Sequence, residues 1–597
     1  MEQIEFYKSR QKAFQEESAT CSRKYNTVST ARFAVALVFL VLGYYTFVSN
    51  DILYLILGMT VCCVVFFILM KYHTKVVRKK KRAEALLSVN NEELDYLSGK
   101  EIPFEDGSEF HDTTHAYSHD LDIFGKRSLF HNLNRTQTFK GKEKLASMLL
   151  ESSSQSEILK RQEAVKEVAA RPEWRQEIMA LGKINKDSRL IYNRLTAWAN
   201  REGVAFSPIA KLVSIASPIA LLLCFGAYLI TGNGLFSNVA EYLFAWNLLF
   251  LLGYLKIIKR ETADTSEIHN IIESYGLIIK EIESREFTSE KLRELRGKLV
   301  DGQQKAGDAI IRLSVLFSRL DSIANVPGAI LFNGLSLFHF HTLRSLLDWK
   351  KRHAQDIVKW LDAVAEIEAL SSLANLTYNN PGFSFPQLND TYTIRFKNLS
   401  HPLIKEEGRV GNDVDFKKHY MILTGSNMSG KSTFLRSLGI NMVLAGAGAP
   451  VCASEATIHP LPVLVSMRLS DSLSDSESYF FAEVKRLRYI MDRLQEQRAF
   501  VLLDEILRGT NSEDKRTGSL KVIDKMVSLK AIGAIATHDI EVCNIALQYP
   551  DHVSNYCFES QIVDDELYFD YQLRQGICKN KSATFLMEKM GVIEREL

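Results

Sequence analysis

The sequence predicts a mostly parallel α/β domain, an all-helical domain before it, and membrane-spanning helices. After residue 390, short β-runs alternate with helical patterns, which is typical of an α/β domain. Residues 83–205 are predicted to be mostly helical, and over residues 261–378 apolar residues recur with the helical period in long segments. Near the start of the chain, two uncharged apolar runs each approach the ~20 residues that cross a bilayer. These three observations define the predicted architecture.

The bulk composition is that of an ordinary folded protein. The chain has 597 residues, of which 46% are hydrophobic and 24% charged, enough for several domains. The formal net charge is only +2, so a nucleic-acid-binding surface would have to be local. The 8 cysteines form no Cys-x-x-Cys pair. This pattern favours a reducing cytosol and argues against a disulfide framework or a zinc site.

The first apolar pair covers residues 33–48 and 52–70 and predicts a transmembrane hairpin. A basic block follows at once, from Lys71 to Arg82. The positive-inside rule places that end in the cytoplasm, together with a polar helix at residues 1–32. The expected location is therefore the cytoplasmic (inner) membrane, with lipid as a partner. A buried soluble hairpin is the alternative.

A second apolar pair lies at residues 212–230 and about 242–258. It predicts a second transmembrane hairpin, with a buried helical hairpin as the competing interpretation. Residues 326–347 are also apolar, but they contain Asn333, His339 and His341. We interpret that run as a single core helix and not as a membrane span.

These patterns divide the chain into seven segments. They are a cytoplasmic helix (1–32), a transmembrane hairpin (33–70), the first part of a helical core (71–205), a second apolar hairpin (206–260), a second part of the helical core or lever (261–378), a linker (379–390) and an α/β domain (391–597).

The most specific motif follows the β-run "HYMILT" and precedes a helical pattern. Residues 425–432 fit the phosphate-binding pattern G-x-x-x-x-G-K-[ST]. In such a loop, backbone N–H groups surround the phosphates, the lysine reaches the β- and γ-phosphates, and the hydroxyl binds Mg²⁺. The predicted ATP-binding residues are Gly425, Ser426, Asn427, Met428, Ser429, Gly430, Lys431, Ser432 and Thr433, with Ser432 also a Mg²⁺ ligand.

Two later segments add acidic and imidazole groups. "AFVLLDEILRGT" reads as a buried strand that ends in Asp504 and Glu505. Asp504 is the expected second Mg²⁺ residue, and Glu505 is placed to orient or activate the attacking water. The β-run "AIGAIATHD" ends in His538, which could sense the γ-phosphate. Taken alone, His538 would be an ordinary loop histidine.

The stretches "TGSNMSGKST", "LLDEILRGTNSED" and "ATHD" resemble the ATPase domain of the MutS family of DNA mismatch-repair proteins. Asn427 and Met428 match the family's loop, whereas Ser426 and Ser429 replace the usual Pro and Gly. Residues 471–484 are similar to the family's signature segment. There the resemblance implies that Ser478 contacts the γ-phosphate of a dimer partner, although Glu477 and Tyr479 depart from the usual Arg and Thr.

The resemblance extends upstream, because residues 117–150 and 161–168 are similar to the family's helical core. Family members that read mismatches use an N-terminal domain with a Phe-x-Glu wedge. Phe14-Gln15-Glu16 has that spelling, but we interpret it as a coincidence before a membrane span. A group of His111, Asp112, His115 and His119 has metal-ligand residue types. A polar loop is the favoured interpretation of that group.

The sequence thus predicts a membrane-anchored ATPase that uses ATP and Mg²⁺, acts as a homodimer and couples hydrolysis to binding duplex or branched DNA. By resemblance this is a mismatch-repair-like DNA clamp, but one that does not discriminate mismatches. One alternative is an ABC-type transporter ATPase, although its usual Ser-Gly-Gly-Gln signature is absent. Another is a membrane scaffold that uses ATP only to assemble, without DNA.

Overall fold

The structure is a computed structural model of the 597-residue chain. It describes residues 2–45, 52–262, 268–301, 304–468, 479–563 and 566–578, and six positions between 585 and 593. Helices dominate up to residue 379, and the described strands lie almost entirely after it. The predicted order of a helical part followed by a mixed α/β part is therefore observed.

Two long helices form the N-terminal hairpin, α1 (Glu2–Tyr45) and α2 (Ile52–Leu97). Both predicted boundaries, at residues 32/33 and 70/71, fall inside these continuous helices. The apolar halves are exposed, with Phe33 72% accessible, whereas the polar halves pack against the helical domain. A hydrogen bond from the Tyr7 hydroxyl to Asn379 (3.0 Å) and a contact of Arg82 with Glu177 (2.6 Å) fix that attachment.

The helical domain is built around one buried central helix, α16 (Ile357–Asn379), whose side chains are buried on every face over residues 363–375. The other helices of the chain up to this point are α3 (Leu129–Leu133), α4 (Phe139–Leu150), α5 (Gln155–Ala169), α6 (Pro172–Lys183), α7 (Arg189–Asn200), α8 (Pro208–Thr231), α9 (Gly234–Leu252), α10 (Leu255–Thr262), α11 (Ile268–Glu283), α12 (Glu290–Leu299), α13 (Ala306–Asp321), α14 (Val326–Ser336) and α15 (Phe338–His353). The two-residue strands β1 (Val300–Asp301) and β2 (Gln304–Lys305) pair between α12 and α13.

Helices α8, α9 and α14 pack together and expose apolar side chains. Within the described residues, four helices are long and apolar enough to cross a membrane, namely α1, residues 57–97 of α2, α8 and α9. Helices α13 and α14 meet the same criterion of length and hydropathy when they are taken together as one bent pair. The prediction of one core helix over residues 326–347 is wrong. The chain breaks at Leu337, which has a φ of 49°, and α14 leaves several large apolar side chains exposed.

The α/β domain contains two sheets. Its strands are β3 (Gln387–Leu388), β4 (Arg395–Leu399), β5 (Asn412–Asp415), β6 (Tyr420–Gly425), β7 (Glu455–Ile458), β8 (Val463–Ser466), β9 (Phe500–Asp504), β10 (Ile532–Ala536), β11 (Val553–Val563) and β12 (Glu566–Gln575). Its helices are α17 (Lys431–Ala447), α18 (Tyr479–Glu496), α19 (Ser512–Ser528) and α20 (Ile545–Gln548).

The larger sheet has six strands in the order β12-β11-β6-β10-β9-β8. All neighbours in it are parallel except the β11–β12 pair. The smaller sheet has the order β3-β7-β4-β5. The prediction of a mostly parallel sheet is thus confirmed, and the parallel arrangement explains why β6, β9 and β10 are continuous buried apolar runs.

A buried ion pair joins the N-terminal hairpin to the helical domain. The Arg135 guanidinium donates to both Glu93 oxygens at 2.6 and 3.2 Å, and the two side chains are only 2% and 1% exposed. Asn375 and Asn379, near the end of α16, also donate to Glu93. Because each oxygen has two donors, the buried charge is balanced and hydrogen-bonded.

We expect Glu93→Ala to lower the free energy of unfolding by about 3–5 kcal/mol, because it leaves a buried guanidinium without its counter-charge. The control is Lys100→Ala, which breaks the exposed pair with Asp95 and should cost at most about 1 kcal/mol. Urea unfolding of the detergent-solubilised chain measures both. Equal effects of the two substitutions would contradict the assignment of Glu93 as the anchor of this junction.

Candidate functional site

Parallel pairing brings three strand ends to one edge of the larger sheet. In the register of β9, β10 and β6, Asp504 lies beside Ala536, which lies beside Leu423. The Thr537 N–H donates to the Leu423 carbonyl (2.9 Å) and continues this alignment beyond the strands. The loop after β6, the acidic pair after β9 and His538 after β10 therefore meet at the carboxyl edge, where α/β sheets bind ligands.

The glycine-rich loop at residues 425–430 has a backbone that side chains would obstruct. Gly425 and Gly430 have φ values of 156° and 100°, and Met428 is left-handed at 66°. A Cβ on Gly425 would lie 2.8 Å from the Phe558 carbonyl. Gly430 then precedes the first turn of α17. The loop consequently directs backbone N–H groups and a helix N-terminus toward one space, an arrangement suited to phosphate.

Lys431 lies under this loop, with only 5% of its surface exposed. Its ammonium group donates to the carbonyls of Gly425 (2.9 Å) and Ser426 (3.0 Å). Burial lowers the pKa of Lys431, while the nearby Glu505 and Asp504 carboxylates act in the opposite direction. Because the two carbonyls that accept its hydrogen bonds are uncharged, the Lys431 ammonium group is available to bind an anionic ligand.

Ser432 and Asp504, predicted to share Mg²⁺, are in direct contact. The Ser432 hydroxyl donates to Asp504 Oδ2 at 2.6 Å. The other oxygen, Asp504 Oδ1, is buried and has no hydrogen-bond partner among the described residues. A buried carboxylate oxygen without a donor is costly unless something else binds it. Together with the adjacent hydroxyl it supplies oxygen ligands of the type that Mg²⁺ prefers, so the residues present fit the ion.

Glu505 and His538 also lie together, with His538 Nε2 2.6 Å from Glu505 Oε1. This hydrogen bond is the main reason that the pKa of Glu505 falls to about 2, with smaller contributions from Arg508 and Lys431. Glu505 is left-handed, at a φ of 49°, and its N–H donates to the Ala536 carbonyl (2.9 Å). Glu505 is thus held through its N–H by Ala536 and through its carboxylate by His538. Because of its low pKa, the carboxylate stays charged at neutral pH.

A cleft of about 510 Å³ opens beside the loop. Residues 427–433 and Glu505 line one part of it. The remaining lining residues, which the sequence motifs did not reveal, include His401, Arg409, Asn412, Phe558 and Tyr571. They come from β4, β5, β11 and β12 and the turns between them, so no single segment carries their pattern. Burial lowers the pKa of His401 to about 4, which keeps the ring neutral.

Glu483 is a further residue that the motifs missed. Its carboxylate, on α18, accepts hydrogen bonds from the N–H groups of Leu507 (2.6 Å) and Arg508 (3.1 Å). Arg508 in turn donates to the Glu505 carbonyl (3.0 Å). Leu507 is left-handed at a φ of 61°, so this loop depends on external support. The only signal in the sequence is a carboxylate within the apolar start of an amphipathic helix.

Ser478, the predicted contact with a dimer partner, lies outside the described residues, as do Glu477 and most of the predicted signature segment. The residues that flank the segment are described. Asp120 accepts hydrogen bonds from the N–H groups of Met467 (2.7 Å) and Arg468 (2.8 Å), just before it. Arg486, just after it, donates to the carbonyls of His115 and Ala116. One loop of the helical domain therefore holds both flanks.

The histidines of that same loop make their hydrogen bonds within the loop. His111 and His119 lie 3.2 Å apart, and His115 Nδ1 accepts hydrogen bonds from the N–H groups of Tyr117 and Ser118. Asp112 accepts the N–H and hydroxyl of Thr114. Across the part of the chain that the structure describes, no group of three or more His, Cys, Asp or Glu side chains has a metal-binding arrangement. These residues shape a turn against the α/β domain.

The mainly parallel sheet, the glycine-rich loop and the acidic pair at one edge form an arrangement that is typical of nucleotide-binding α/β domains. Residues 421–594 match the family model of MutS domain V. The carboxyl-terminal domain of this chain is therefore similar to MutS domain V.

Curated relatives agree with this assignment. The chain is 29% identical to "MutS protein homolog 4" of Homo sapiens over 242 residues, 38% of this chain and 25% of that protein. It is 30% identical to "DNA mismatch repair protein MutS" of Ehrlichia ruminantium (strain Gardel) over 233 residues, 37% of this chain and 29% of that protein. It is 26% identical to "DNA mismatch repair protein msh3" of Aspergillus oryzae over 357 residues, 53% of this chain and 32% of that protein. The chain thus spans a quarter to a third of the length of these relatives.

We expect Glu483→Ala to destabilise the α/β domain by about 1–3 kcal/mol for each N–H group that loses its acceptor. Glu483→Gln retains an acceptor oxygen and should restore part of this loss. The control is Glu496→Ala in the last turn of α18, which breaks an exposed pair with Arg493 and should cost less than about 1 kcal/mol. Denaturant unfolding compares the three variants, and equal stabilities for Glu483→Ala and Glu496→Ala would contradict the assignment.

Proposed function

We propose that this protein is a membrane-anchored MutS-family ATPase that binds and hydrolyses ATP as a homodimer and couples hydrolysis to binding of duplex or branched DNA. The observation that carries the proposal is the contact of Ser432 with Asp504 at the mouth of the glycine-rich loop. It brings two residues 72 positions apart to one point, together with the lysine of the loop. A cleft next to the loop is large enough for a small ligand.

ATP fits the site through its phosphates. Lys431 and the N–H groups of the loop bind the anionic chain, and the first turn of α17 adds its partial positive charge. Ser432 and Asp504 would hold Mg²⁺, which supplies charge neutralisation for the phosphates when it is bound. Asp504 Oδ1 supports this assignment, as do the buried hydroxyls of Ser426 and Ser429 in the same loop, since all three lack a hydrogen-bond partner among the residues that the structure describes.

The role of Glu505 follows from its acidity. A carboxylate whose pKa is about 2 is a weak base at neutral pH and is permanently charged. We assign it to orienting the attacking water by hydrogen bonding. His538 holds the carboxylate in place and can respond to the group bound beside it. Glu483 then positions Glu505 indirectly, through the loop at Leu507 and Arg508.

We expect Lys431→Ala to abolish nucleotide binding and Glu505→Gln to retain binding but lose turnover. Loss of one preorganised group at the reacting phosphate typically costs about 10²–10³ in kcat. Fluorescent-nucleotide titration and phosphate release measure the two steps. Lys417→Ala, which removes an 82% exposed lysine, is the matched control and should leave both unchanged. Normal turnover by Glu505→Gln would remove that residue from the mechanism.

A homodimer would complete each site with the partner's signature segment, and Ser478 is the residue that the family resemblance assigns to this contact. Two further features support a connection between that segment and the site. Its flanks are held by the loop at Asp120, and α18 begins within it at Tyr479 and carries Glu483. A partner's nucleotide could therefore act on both the helical domain and the Glu505 loop.

Mixing Lys431→Ala protein with Ser478→Ala protein should restore turnover to roughly one working site per heterodimer. Each heterodimer pairs one intact loop with one intact signature serine only if the serine acts on the partner's nucleotide. ATP hydrolysis is measured across mixing ratios after detergent-mediated subunit exchange. If activity simply averages the two inactive proteins at every ratio, each subunit works alone and the proposed dimer mechanism fails.

DNA binding is proposed from the family, since the curated relatives include proteins named for DNA mismatch repair. We do not assign the Phe-x-Glu sequence at residues 14–16 to a mismatch-reading wedge that inserts into DNA. Phe14 packs on a small cluster formed by Ala85, Leu86 and Ala180, and the Arg10 guanidinium lies 4.9 Å from its ring centroid. Affinity should therefore depend mainly on phosphate contacts by Lys and Arg, which are indifferent to sequence and sensitive to salt.

We expect a matched duplex and the same duplex with one G·T pair to bind within about twofold of each other. A specific base contact would instead confer about 1–3 kcal/mol of discrimination. Competition binding at one fixed salt concentration makes the comparison, and Phe14→Ala should leave the ratio unchanged. A tenfold preference for the G·T duplex that Phe14→Ala abolishes would overturn this part of the proposal. Absence of any duplex binding would favour an ATP-dependent membrane scaffold.

Membrane anchoring is proposed for the apolar halves of α1 and α2 and for α8 with α9. These helices are long and apolar enough to cross a bilayer and expose large apolar side chains. The basic residues from Lys71 to Arg82 follow the apolar part of α2 directly, which places the helical and α/β domains on the cytoplasmic side. The cytoplasmic membrane is thus the proposed location.

A further inference from the structure

Helix α14 has an apolar outer face that the rest of the described chain leaves uncovered. Val326, Ile330, Leu331, Phe332 and Leu335 are 39–61% exposed. The sequence from residue 322 to residue 343 contains no Asp, Glu, Lys or Arg. Water-facing helices of soluble domains normally carry charges on their outer side. An uncharged, apolar outer face therefore indicates a non-aqueous environment.

The inner face of α14 is docked tightly onto the second apolar hairpin. Gly334 packs against the Phe244 ring so closely that an added Cβ would lie 2.2 Å from it. Asn247 of α9 is fully buried and donates to the Gly334 carbonyl (2.8 Å), while Ser217 of α8 donates to Asn247 (2.6 Å). Small residues and interhelical polar contacts are the means by which membrane helices associate. Helices α8, α9 and α14 thus form one packed unit.

Polar groups at the ends of α14 are satisfied within the protein. His339 N–H donates to Asn333 Oδ1 (2.9 Å), and the Asn333 amide lies 2.7 Å from His339 Nδ1. The other ring nitrogen of His339 lies 3.2 Å from the Ser322 hydroxyl. These contacts bridge the break between α14 and α15 and the bend of 111° between α13 and α14. Irregular backbone is tolerated at membrane depth only where such partners are supplied.

The neighbouring helices return the chain to the side from which it came. Helices α13 and α15 pack against each other within the helical domain, and the Trp349 indole N–H of α15 donates to the Ala309 carbonyl of α13 (2.8 Å). Helix α14 has 11 residues. At ~1.5 Å per residue it reaches roughly half of the ~30 Å hydrocarbon thickness. The chain therefore cannot cross the bilayer through α14 and end where α15 lies.

We propose that α14 is a re-entrant helix that inserts into the lipid bilayer beside α8 and α9, with its outer face against acyl chains. The inference rests on the proposed anchoring of α8 and α9 and extends it to a segment that the sequence pattern assigned to the protein core. The occupant is lipid because α14 packs against α9 and α8, whose own exposed side chains are apolar and include Leu222, Leu229 and Leu249. Helix α15 packs against α14 and against α13, so the three-helix unit is joined to the helical domain.

The test uses the wild-type full-length protein in vesicles of phosphatidylcholine and phosphatidylglycerol that contain a lipid with a photoreactive acyl chain. After illumination, peptide mass spectrometry maps the adducts. We expect adducts on residues 330–335 of α14 at a level similar to residues 222–229 of α8. Val315, which is 41% exposed on α13, is the matched apolar control outside the bilayer and should be labelled at least tenfold less.

The outcomes separate this inference from the proposed anchoring. Adducts on α8 without adducts on α14 would overturn the re-entrant helix and leave the anchoring intact. Absence of adducts on α8, with α1 and α2 labelled, would remove the second hairpin from the membrane and overturn the inference with it. Protection of α14 by a second copy of the chain, detected as a protein–protein photo-crosslink from a photoreactive residue at Phe332, would also overturn it.

Discussion

The parallel register of β6, β10 and β9 is the constraint on which the candidate site depends. Each strand is fully buried, so its backbone groups must be paired in the sheet and a shift in register would expose apolar side chains or lose hydrogen bonds. Within this register, Asp504 and Ala536 are neighbours, and the Glu505 N–H reaches the Ala536 carbonyl. The 2.6 Å contacts of Asp504 with Ser432 and of Glu505 with His538 both follow from that alignment.

The strained residues of the site are held in place by their surroundings. Glu505 and Leu507 both adopt left-handed backbone conformations, each of which costs about 1–3 kcal/mol for a residue with a side chain. Hydrogen bonds that the Glu505 N–H donates to the Ala536 carbonyl and the Leu507 N–H donates to the Glu483 carboxylate compensate for that strain. Since Glu483 belongs to α18 and Arg486 of the same helix is held by the helical domain, the loop of Glu505 is linked to the helical domain through α18. A change in either domain can thereby reach the carboxylate.

Buried polar contacts also determine how the apolar hairpins join the rest of the chain. At the first hairpin, Glu93 and Arg135 connect α2 to the helical domain, and Tyr7 reaches the end of α16. At the second, Asn247 links α9 to α14. Polar pairs of this kind have geometric requirements that apolar packing lacks, because an unpaired buried group is costly. Both hairpins are consequently attached in one orientation, and the first lies close to the point where α16 leads into the α/β domain.

Much of the site was predictable from the sequence, because local spacing carried its chemistry. The loop at residues 425–432 and the pair Asp504 and Glu505 each follow a buried β-run, and parallel strands bring such ends together. His538 could be predicted in the same way, because it follows β10, the strand that lies between β6 and β9. His401, Arg409, Asn412 and Tyr571 could not be found in this way, since they come from separate strands and turns and share only a cleft. Glu483 was hidden for a related reason, as its partners are backbone N–H groups that have no sequence signature.

The sequence by itself determined where most helices and strands lie, which runs are apolar enough for a membrane, and where a glycine-rich loop with the phosphate-binding pattern lies. Periodicity, charge and glycine spacing are local properties, so they can be recognised in the sequence without knowledge of the fold. Only the tertiary structure decided that residues 326–347 break into two helices, because the break depends on Asn333 meeting His339 and on Gly334 meeting Phe244. It also decided that α1 and α2 pass through the predicted boundaries as continuous helices, since their polar halves are stabilised by packing on the helical domain. Contacts between distant residues set these features, and hydrophobic patterning along the chain does not encode them.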